Sequence, residues 1–320
     1  MSLPAALRSR LKLPLIAAPM FLVSGPALVK AACRAGVIGS FPTANCRTVE
    51  ELDAWLADIK AATAGAAPFC PNLIVHRSNP RVADDLAAVL RAKAEIVITS
   101  VGSPERVMKP LKDAGCLVLA DVASVRHAQK AVAAGVDGLV LLTAGAGGQT
   151  GWVNPFAFVR AIRQFWDGIV VMAGGMSDGH AVAAAEVLGC DLAYMGTKFI
   201  ATRESLAKDE YKQMLVRSRL DDVLLTRAFT GLETNMLRPS IAAAGLDPDN
   251  LPARGAIDIS KDINAAERDK LSKGPEAKRW KDIWSAGHSV SGVDDVPSAA
   301  ELVARTAAEY DTAVQSMQRV

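Results

Sequence analysis

Short apolar runs recur along the first part of the chain, and each is followed by a turn and then by a stretch with helical spacing. The runs lie at 14–19, 36–41, 69–75, 95–100, 116–121, 137–143, 168–174 and 191–196. Because they are continuous rather than alternating in polarity, they are typical of strands buried on both faces of a parallel sheet. Eight such strand–helix units predict an α/β fold, and specifically a (β/α)8 TIM barrel.

A doubly wound open sheet would show the same alternation of strands and helices. The count of eight favours the barrel. The sequence after the first run also favours it, because that stretch lacks the GxGxxG fingerprint of a dinucleotide-binding sheet. The barrel is therefore the prediction, and the open sheet is its alternative.

The pattern of apolar positions changes after the eighth run, and this change divides the chain into three predicted parts. Residues 1–204 are predicted to form the barrel. Segment 205–290 is predicted to form a helical insertion or lid after strand 8. Segment 291–320 contains a helical pattern at about 297–318, and this last helix is expected to pack back on the barrel.

The predicted insertion rests on three stretches of different composition. Residues 205–231 are amphipathic with helical spacing, and 266–287 are charged with helical spacing. Between them, 237–262 are rich in Pro, Gly and Asp. The first and third of these stretches are predicted to be helical.

The composition argues against several classes of partner and location. The 320 residues are 50% apolar, and 36 basic residues against 34 acidic ones give a net charge of +2. This balance indicates neither nucleic acid nor an anionic membrane as a partner. The chain shows no long apolar region of a signal peptide, and no apolar run reaches the roughly 18 residues of a membrane span. A cytoplasmic location is therefore predicted.

The five cysteines are widely spaced and form no CxxC pair. An odd number of scattered cysteines argues against both a disulfide framework and a zinc site. No cluster of Cys, His and Asp is apparent in the sequence, and no bound metal is expected.

Glycines mark the loops where a barrel carries its chemistry, at the C-terminal ends of the strands. The last two runs continue into "AGGMSDG" and "MGTKF". In many barrels the loops after the last two strands hold a phosphate through backbone N–H groups. Gly174, Gly175, Gly196 and Thr197 are therefore predicted to form a phosphate site.

A further loop, "TAGAGGQTGW" at 143–152, follows the sixth run and holds four glycines. Glycines there allow the backbone to lie against a ligand. Combined with the predicted phosphate site, this loop indicates a flat, phosphorylated cofactor across the barrel mouth. FMN is the natural candidate.

Five stretches of the sequence resemble the nitronate monooxygenase (2-nitropropane dioxygenase) family of FMN-dependent TIM-barrel oxidoreductases. They are "LPLIAAPMFLVSGPALVKAACRAGVIGSF", "AGAGGQTG", "AGGMSDG", "YMGTKFIAT" and "IWSAGHSVSGVDDVPSAAELV". The same superfamily includes flavin-dependent enoyl-acyl-carrier-protein reductases and NADH:quinone reductases. The resemblance covers essentially the whole chain and is weakest at about 205–280.

The resemblance implies a set of cofactor contacts around the barrel mouth. Some would lie beside the isoalloxazine ring, others would hydrogen-bond or approach the flavin, and the last four would hold the phosphate. The residues are Ala18, Pro19, Met20, Asn72, Asp121, Gly147, Gly148, Gly174, Gly175, Gly196 and Thr197.

Two positions depart from the family pattern. Many relatives have histidine after the paired glycines, and this chain has Gln149. Glutamine cannot titrate near neutral pH, although it can donate a hydrogen bond to a substrate oxygen. Relatives also often have lysine where this chain has Asp121, which is expected to be an anion or a hydrogen-bond acceptor. Both departures concern the reaction and leave flavin binding as expected.

Two histidines are candidates for the missing acid or base. His76 ends the third run at the predicted top face of the barrel. His288 lies in "WSAGHSV" and could close over the site from the C-terminal segment. We list Gln149, His76 and His288 as the candidate catalytic residues, with His76 as the preferred acid or base.

Three functional hypotheses follow. The first is an FMN-dependent oxidoreductase that oxidises an alkyl nitronate or similar anion with O2. The second is a flavin reductase or dehydrogenase that uses NAD(P)H as co-substrate and acts on an enoyl or acyl thioester of ACP or CoA, or on a quinone. The third is a non-catalytic flavin-binding protein. In each case the expected partner is a small molecule, and whether the chain forms a homodimer is left open.

Overall fold

A closed barrel of eight parallel strands forms the centre of the protein. The computed structural model describes residues 3–251 and 282–318. The barrel strands are β1 (Leu15–Ala17), β2 (Ile38–Pro42), β3 (Phe69–Ile74), β4 (Ile96–Ser100), β5 (Leu117–Val122), β6 (Gly138–Leu142), β8 (Ile169–Ala173) and β9 (Leu192–Met195). They are hydrogen-bonded in this order, and β9 pairs with β1 to close the barrel. The predicted TIM barrel is confirmed, and every predicted apolar run overlaps one of its strands.

Helices surround the barrel and follow its strands. The described ones are α1 (Ala5–Arg8), α2 (Pro26–Ala35), α3 (Val49–Ala62), α4 (Val82–Ala92), α5 (Glu105–Asp113), α6 (Val125–Ala133), α7 (Pro155–Ile162), α8 (Gly179–Leu188), α9 (Thr197–Ile200), α10 (Asp209–Arg217), α11 (Arg238–Ala243) and α12 (Ala299–Met317). None of the described helices is both long enough and apolar enough to cross a membrane.

The strands are mostly apolar because both of their faces are buried. One face fills the barrel interior, where Ile16, Ile98 and Val140 belong to a single buried cluster. The other face packs under the helices, where Leu73 and Leu139 belong to a larger cluster. Removing both faces from water explains why the runs show no alternation of polar and apolar residues.

The C-terminal helix packs against the helices that surround the barrel. Helix α12 lies against α2 and α8. The backbone N–H of Gly179 at the start of α8 donates to Glu309 Oε2 at 2.9 Å. A Cβ at Gly179 would lie 2.1 Å from the backbone N of Tyr310, so α8 and α12 can approach this closely only because the residue is glycine.

The insertion contains strands that the sequence analysis did not predict. Helix α10 ends at Arg217, and β10 (Val223–Thr226) follows it within the stretch predicted to be helical. Together with β11 (Thr234–Leu237) and β7 (Gly148–Gln149), it forms an antiparallel sheet in the order β10–β11–β7. The helix prediction for 205–231 was therefore wrong beyond α10.

The physical reason is that a strand forms by pairing with another strand that is distant in the sequence. An apolar run as short as "VLLT" fits helix and strand equally well, and the partner strand decides between them. Most of the helical stretch predicted at 266–287 lies outside the described residues, and residues 282–287 within it are not helical.

Candidate active site

A cavity opens at the C-terminal ends of the barrel strands. Its wall contains every residue that the sequence analysis assigned to the cofactor, together with Gln149. The assigned residues are Ala18, Pro19, Met20, Asn72, Asp121, Gly147, Gly148, Gly174, Gly175, Gly196 and Thr197. The structure thus brings residues from six separate stretches of the sequence to one place, while their role toward a cofactor stays a prediction.

Two glycine turns form an open cradle on one side of the cavity. Gly174 and Gly175 follow β8 with φ angles of +116° and +73°, which side chains rarely adopt. A Cβ at Gly175 would meet no atom within 4 Å. At Gly196, directly before α9, a Cβ would come no closer than 3.6 Å to its nearest neighbour, the Cβ of Ala18. The missing side chains leave room for a ligand group against the backbone.

Thr197 lies beside this cradle and links it to the insertion. Its side-chain oxygen accepts a hydrogen bond from the backbone N–H of Gly287 at 2.9 Å. The residue is buried, and its hydroxyl proton is still available to a ligand. Thr197 can therefore donate to an anionic group while it anchors the segment above it.

Asn72 and Asp121 form the polar part of the cavity floor. Asn72 accepts a hydrogen bond from Ser100 Oγ through Oδ1 at 3.1 Å. Asn72 Nδ2 and Asp121 Oδ1 are both buried, and neither has a hydrogen-bond partner among the described residues. An unpaired buried polar atom costs about 1–3 kcal/mol, so two of them on one cavity wall indicate a ligand that would pair with them.

Burial changes the charge of this floor. It raises the pKa of Asp121 to about 7, so the carboxyl is about half protonated at neutral pH. Burial also raises the pKa of Tyr194 and of Cys70 well above their usual values, and Asp121 adds to both shifts. The state of Asp121 therefore differs from the expected anion, because burial disfavours the charged form of its carboxyl.

The glycine-rich loop that carries Gln149 is held from above by the insertion. Gln149 belongs to β7 and pairs with Thr234 of β11. Asn235 Nδ2 donates to the carbonyl oxygen of Ala146 at 2.7 Å. The Gln149 side chain lines the cavity and makes no hydrogen bond within 3–251 or 282–318. Its amide is therefore free to bind a ligand.

Neither candidate histidine lines the cavity. His76 Nδ1 lies 2.8 Å from Ser78 Oγ and accepts from the Ser78 backbone N–H at 3.2 Å. The ring of His288 packs against Gly145, where a Cβ would approach its Nδ1 to 2.6 Å. The described part of the cavity wall thus contains no imidazole, and the preference for His76 as acid or base finds no support in its position.

The sequence analysis missed an aromatic wall that the insertion contributes. Tyr211 of α10 and Trp284 both line the cavity, and their rings stack with centroids 4.9 Å apart and an interplanar angle of 11°. The Tyr211 hydroxyl donates to the Ser285 carbonyl, and burial raises its pKa to about 12, so the phenol is neutral. The amphipathic spacing of α10 is a signal that could have indicated Tyr211 as buried, whereas no local signal places Trp284 beside it.

All five cysteines are buried free thiols. No group of three or more His, Cys, Asp and Glu side chains suited to a metal ion occurs in the part of the chain that the structure describes. The polar chemistry of the cavity therefore lies in amides, hydroxyls, backbone N–H groups and one carboxyl.

Comparisons with known proteins agree with this arrangement. The nitronate monooxygenase family profile matches residues 78–309. A nitronate monooxygenase of Paraburkholderia phytofirmans is 30% identical over 96% of this chain and 94% of its own length. A (3aS,4S,5R,7aS)-5-hydroxy-7a-methyl-1-oxo-octahydro-1H-indene-4-carboxyl-CoA dehydrogenase of Mycobacterium tuberculosis is 28% identical over 71% of this chain and 64% of its own.

Among solved structures, a nitroalkane oxidase of Streptomyces ansochromogenes matches with a TM-score of 0.78 and 25% identity, over 98% of this chain and 100% of its own. The resemblance seen in the sequence motifs is thereby confirmed by both sequence and fold. The chain belongs to the nitronate monooxygenase family and is an oxidoreductase of that family.

Proposed function

We propose that this protein holds FMN in the cavity at the barrel mouth and oxidises a small anionic substrate of the alkyl nitronate type with O2. The observation that carries the proposal is Asn72 Nδ2, which is buried at the cavity wall and has no hydrogen-bond partner in the part of the chain that the structure describes. Such an amide donor suits the ring acceptors of a flavin. Family membership supports the same activity.

The residues of the cavity fit FMN at both of its ends. Asn72 Nδ2 supplies a hydrogen-bond donor for the ring system. The cradle at Gly175 and Gly196, with the Thr197 hydroxyl, supplies space and donors for one phosphate. Bound FMN supplies the electron transfer that no side chain in the cavity can perform.

The protein's own contribution is binding, orientation and exclusion of water. The Gln149 amide can donate to an oxygen of a nitro or nitronate group. Tyr211 and Trp284 cover the cavity with stacked rings. A drier site strengthens each hydrogen bond to developing charge, because the local dielectric constant is lower than that of water.

A second candidate is an NAD(P)H-dependent reductase or dehydrogenase that acts on an acyl or enoyl thioester or on a quinone. It is favoured by Gln149 and by the lack of imidazole on the described cavity wall. Reduction of an enone needs a hydrogen-bond donor at the carbonyl more than it needs a strong base. A relative named as a carboxyl-CoA dehydrogenase supports the same class. The non-catalytic alternative has no comparable support.

Anaerobic stopped-flow spectroscopy of the FMN-loaded protein tests the two activities. Alkyl nitronates, NADH, NADPH and acyl-CoA esters are mixed with the protein separately, and the flavin absorbance is followed. Bleaching by a nitronate alone supports the monooxygenase. Bleaching by a reduced nicotinamide alone supports the reductase and overturns the first proposal. A protein that binds no flavin overturns both.

A further inference from the structure

The cavity floor contains a carboxyl group that the proposed function does not yet use. Asp121 lies near the end of β5 and lines the cavity, and it is only partly buried. Its Oδ1 is buried and has no hydrogen-bond partner among the described residues. Asn72 on β3 and Tyr194 on β9 line the same floor. A carboxyl group that lines a cavity and has an oxygen unpaired by the described residues is available to a ligand.

The groups around Asp121 leave its charge uncompensated. The titratable groups that face it are Cys70 from β3 and Tyr194 from β9. Burial keeps the thiol and the phenol neutral, because it raises the pKa of each well above its usual value. The neighbouring strands β4 and β6 present Ser100 and Leu142 to the cavity, and neither titrates. No cation among these neighbours holds Asp121 in its ionised form.

Other residues of the described cavity wall cannot exchange a proton near neutral pH. Gln149 does not titrate, and the candidate histidines lie off the wall. Burial raises the pKa of Tyr211 to about 12. Asp121 is the one described wall residue whose pKa, about 7, lies at the pH of the cell.

We propose that Asp121 is the proton-holding residue of this site, and that its neutral carboxyl donates a hydrogen bond to the flavin bound above it. The proposal rests on the proposed function, because it needs a flavin in this cavity. When a bound atom gains negative charge during turnover, the O–H bond of Asp121 breaks and the proton forms a new bond to that atom. The carboxylate then regains a proton from solvent.

Charge balances in this step without further reactants. Asp121 passes a proton and no electrons. The electrons come from the donor substrate of the proposed function, which is a nitronate or a reduced nicotinamide. The same carboxylate can take up a proton when a neutral substrate must lose one, so one residue serves either direction.

The test is the pH dependence of riboflavin binding to the apo-protein, measured by quenching of flavin fluorescence. Riboflavin is the chosen probe because it lacks the phosphate group, whose own ionisation would otherwise contribute. If the protonated form of Asp121 alone binds, the apparent Kd should rise about 30-fold between about pH 5.5 and about pH 8.5. Asp121→Asn keeps the shape and a donor but cannot titrate, so its Kd should stay flat.

Ser100→Ala is the matched control, since it removes the hydrogen bond to Asn72 on the same floor and leaves Asp121 in place. Its Kd for riboflavin should be higher than that of wild type at every pH, and it should still rise with pH. A flat wild-type profile, or a profile that Asp121→Asn leaves unchanged, overturns the proposal while flavin binding still supports the proposed function. If wild type binds neither riboflavin nor FMN, both the proposal for Asp121 and the proposed function are overturned. If Asp121→Asn does not fold, Asp121→Ser replaces it as the variant that cannot titrate. The wild-type pH profile still tests the proposal, because a flat profile overturns it.

Discussion

Asn235 donates its side-chain amide to the carbonyl oxygen of Ala146 at 2.7 Å and so joins the insertion to the glycine-rich loop of the barrel. Both residues are buried, and β11 also pairs with β7 through Asn235 and Gly148. The cavity wall at Gln149 is therefore built jointly by two parts of the chain that are far apart in sequence. The site depends on the insertion for its shape.

The first prediction concerns this link. Asn235→Ala removes the donor and leaves a buried carbonyl unpaired, which should lower the free energy of unfolding by about 1–3 kcal/mol. Because the glycine loop would lose its support, FMN affinity should fall as well. Urea unfolding and fluorescence titration measure the two effects.

Thr230→Ala is the control for this variant. Among the described residues, the Thr230 hydroxyl bonds only to Leu232 and Thr234, which both lie in the insertion. Its loss should lower stability and leave FMN affinity unchanged. If both variants reduce FMN affinity equally, the effect comes from general loosening of the insertion.

The barrel was predictable because strands that are buried on both faces appear in the sequence as continuous apolar runs. Strands such as β6 and β8 are apolar at every position, and no distant partner is needed to see this. The glycine turns after β8 were predictable for a related reason, since their positive φ angles depend on the absence of a side chain.

The small sheet and the aromatic wall were not predictable in this way. Strand β7 has only two residues, and its pairing with β11 is decided by contacts across the fold. Trp284 stacks on Tyr211, which lies far from it in the sequence, and no local pattern specifies this contact. The position of His76 was also misleading, because its strand ends at the cavity but its side chain turns to Ser78.

The second prediction tests the glycine cradle. Gly196→Ala adds a Cβ that meets the Ala18 Cβ at 3.6 Å and the Met20 Sδ at 3.7 Å, both ordinary contacts, so the fold should persist. The new methyl group would occupy space proposed for the phosphate. Loss of one hydrogen bond to a charged group costs about 1.5–3 kcal/mol, so FMN affinity should fall by about 10- to 150-fold. A branched residue at Gly175 would be a poorer test, because the φ of +73° there would strain the backbone as well.

Riboflavin provides the matched ligand control for Gly196→Ala. It lacks the phosphate group, so its affinity should be nearly the same for variant and wild type. An equal loss of affinity for riboflavin and FMN would show that the added methyl group contacts the ring. Unchanged affinity for both would show that the phosphate does not bind in this cradle.

The third prediction separates Gln149 from His76. Gln149→Ala should lower kcat/KM by the worth of one neutral hydrogen bond, roughly 0.5–1.5 kcal/mol or about 2- to 13-fold, and should leave the pH profile unchanged. His76→Ala should leave both rate and profile close to wild type, because the ring does not line the cavity. Steady-state kinetics across pH, on whichever substrate bleaches the flavin, makes the comparison. A loss of about 100-fold or more in His76→Ala would restore that histidine as the acid or base.

The fourth prediction concerns stability and pH in the apo-protein. Burial raises the folded-state pKa of Asp121 from an unfolded value near 3.8 to about 7, so the folded chain keeps a proton that the unfolded chain loses. Between those values the folded state binds more protons, and stability falls as pH rises. Asp121→Asn lacks this penalty, so it should gain stability relative to wild type from about pH 4 to about pH 7, by roughly 4 kcal/mol at most, and then level off.

Glu301 supplies a control of opposite sign for that measurement. Hydrogen bonds from Ser298 and Arg203 lower the pKa of Glu301 to about 2, so its contribution to stability is present above the unfolded pKa and is lost only as pH falls toward the folded one. The difference between wild type and Glu301→Gln should therefore be constant from about pH 5 to about pH 7, where the difference for Asp121→Asn is still growing. Chemical denaturation of the three proteins at each pH gives these differences directly. A constant difference for Asp121→Asn over the same interval would show that Asp121 is already ionised in the folded protein, and its buried Oδ1 would then need a cationic partner.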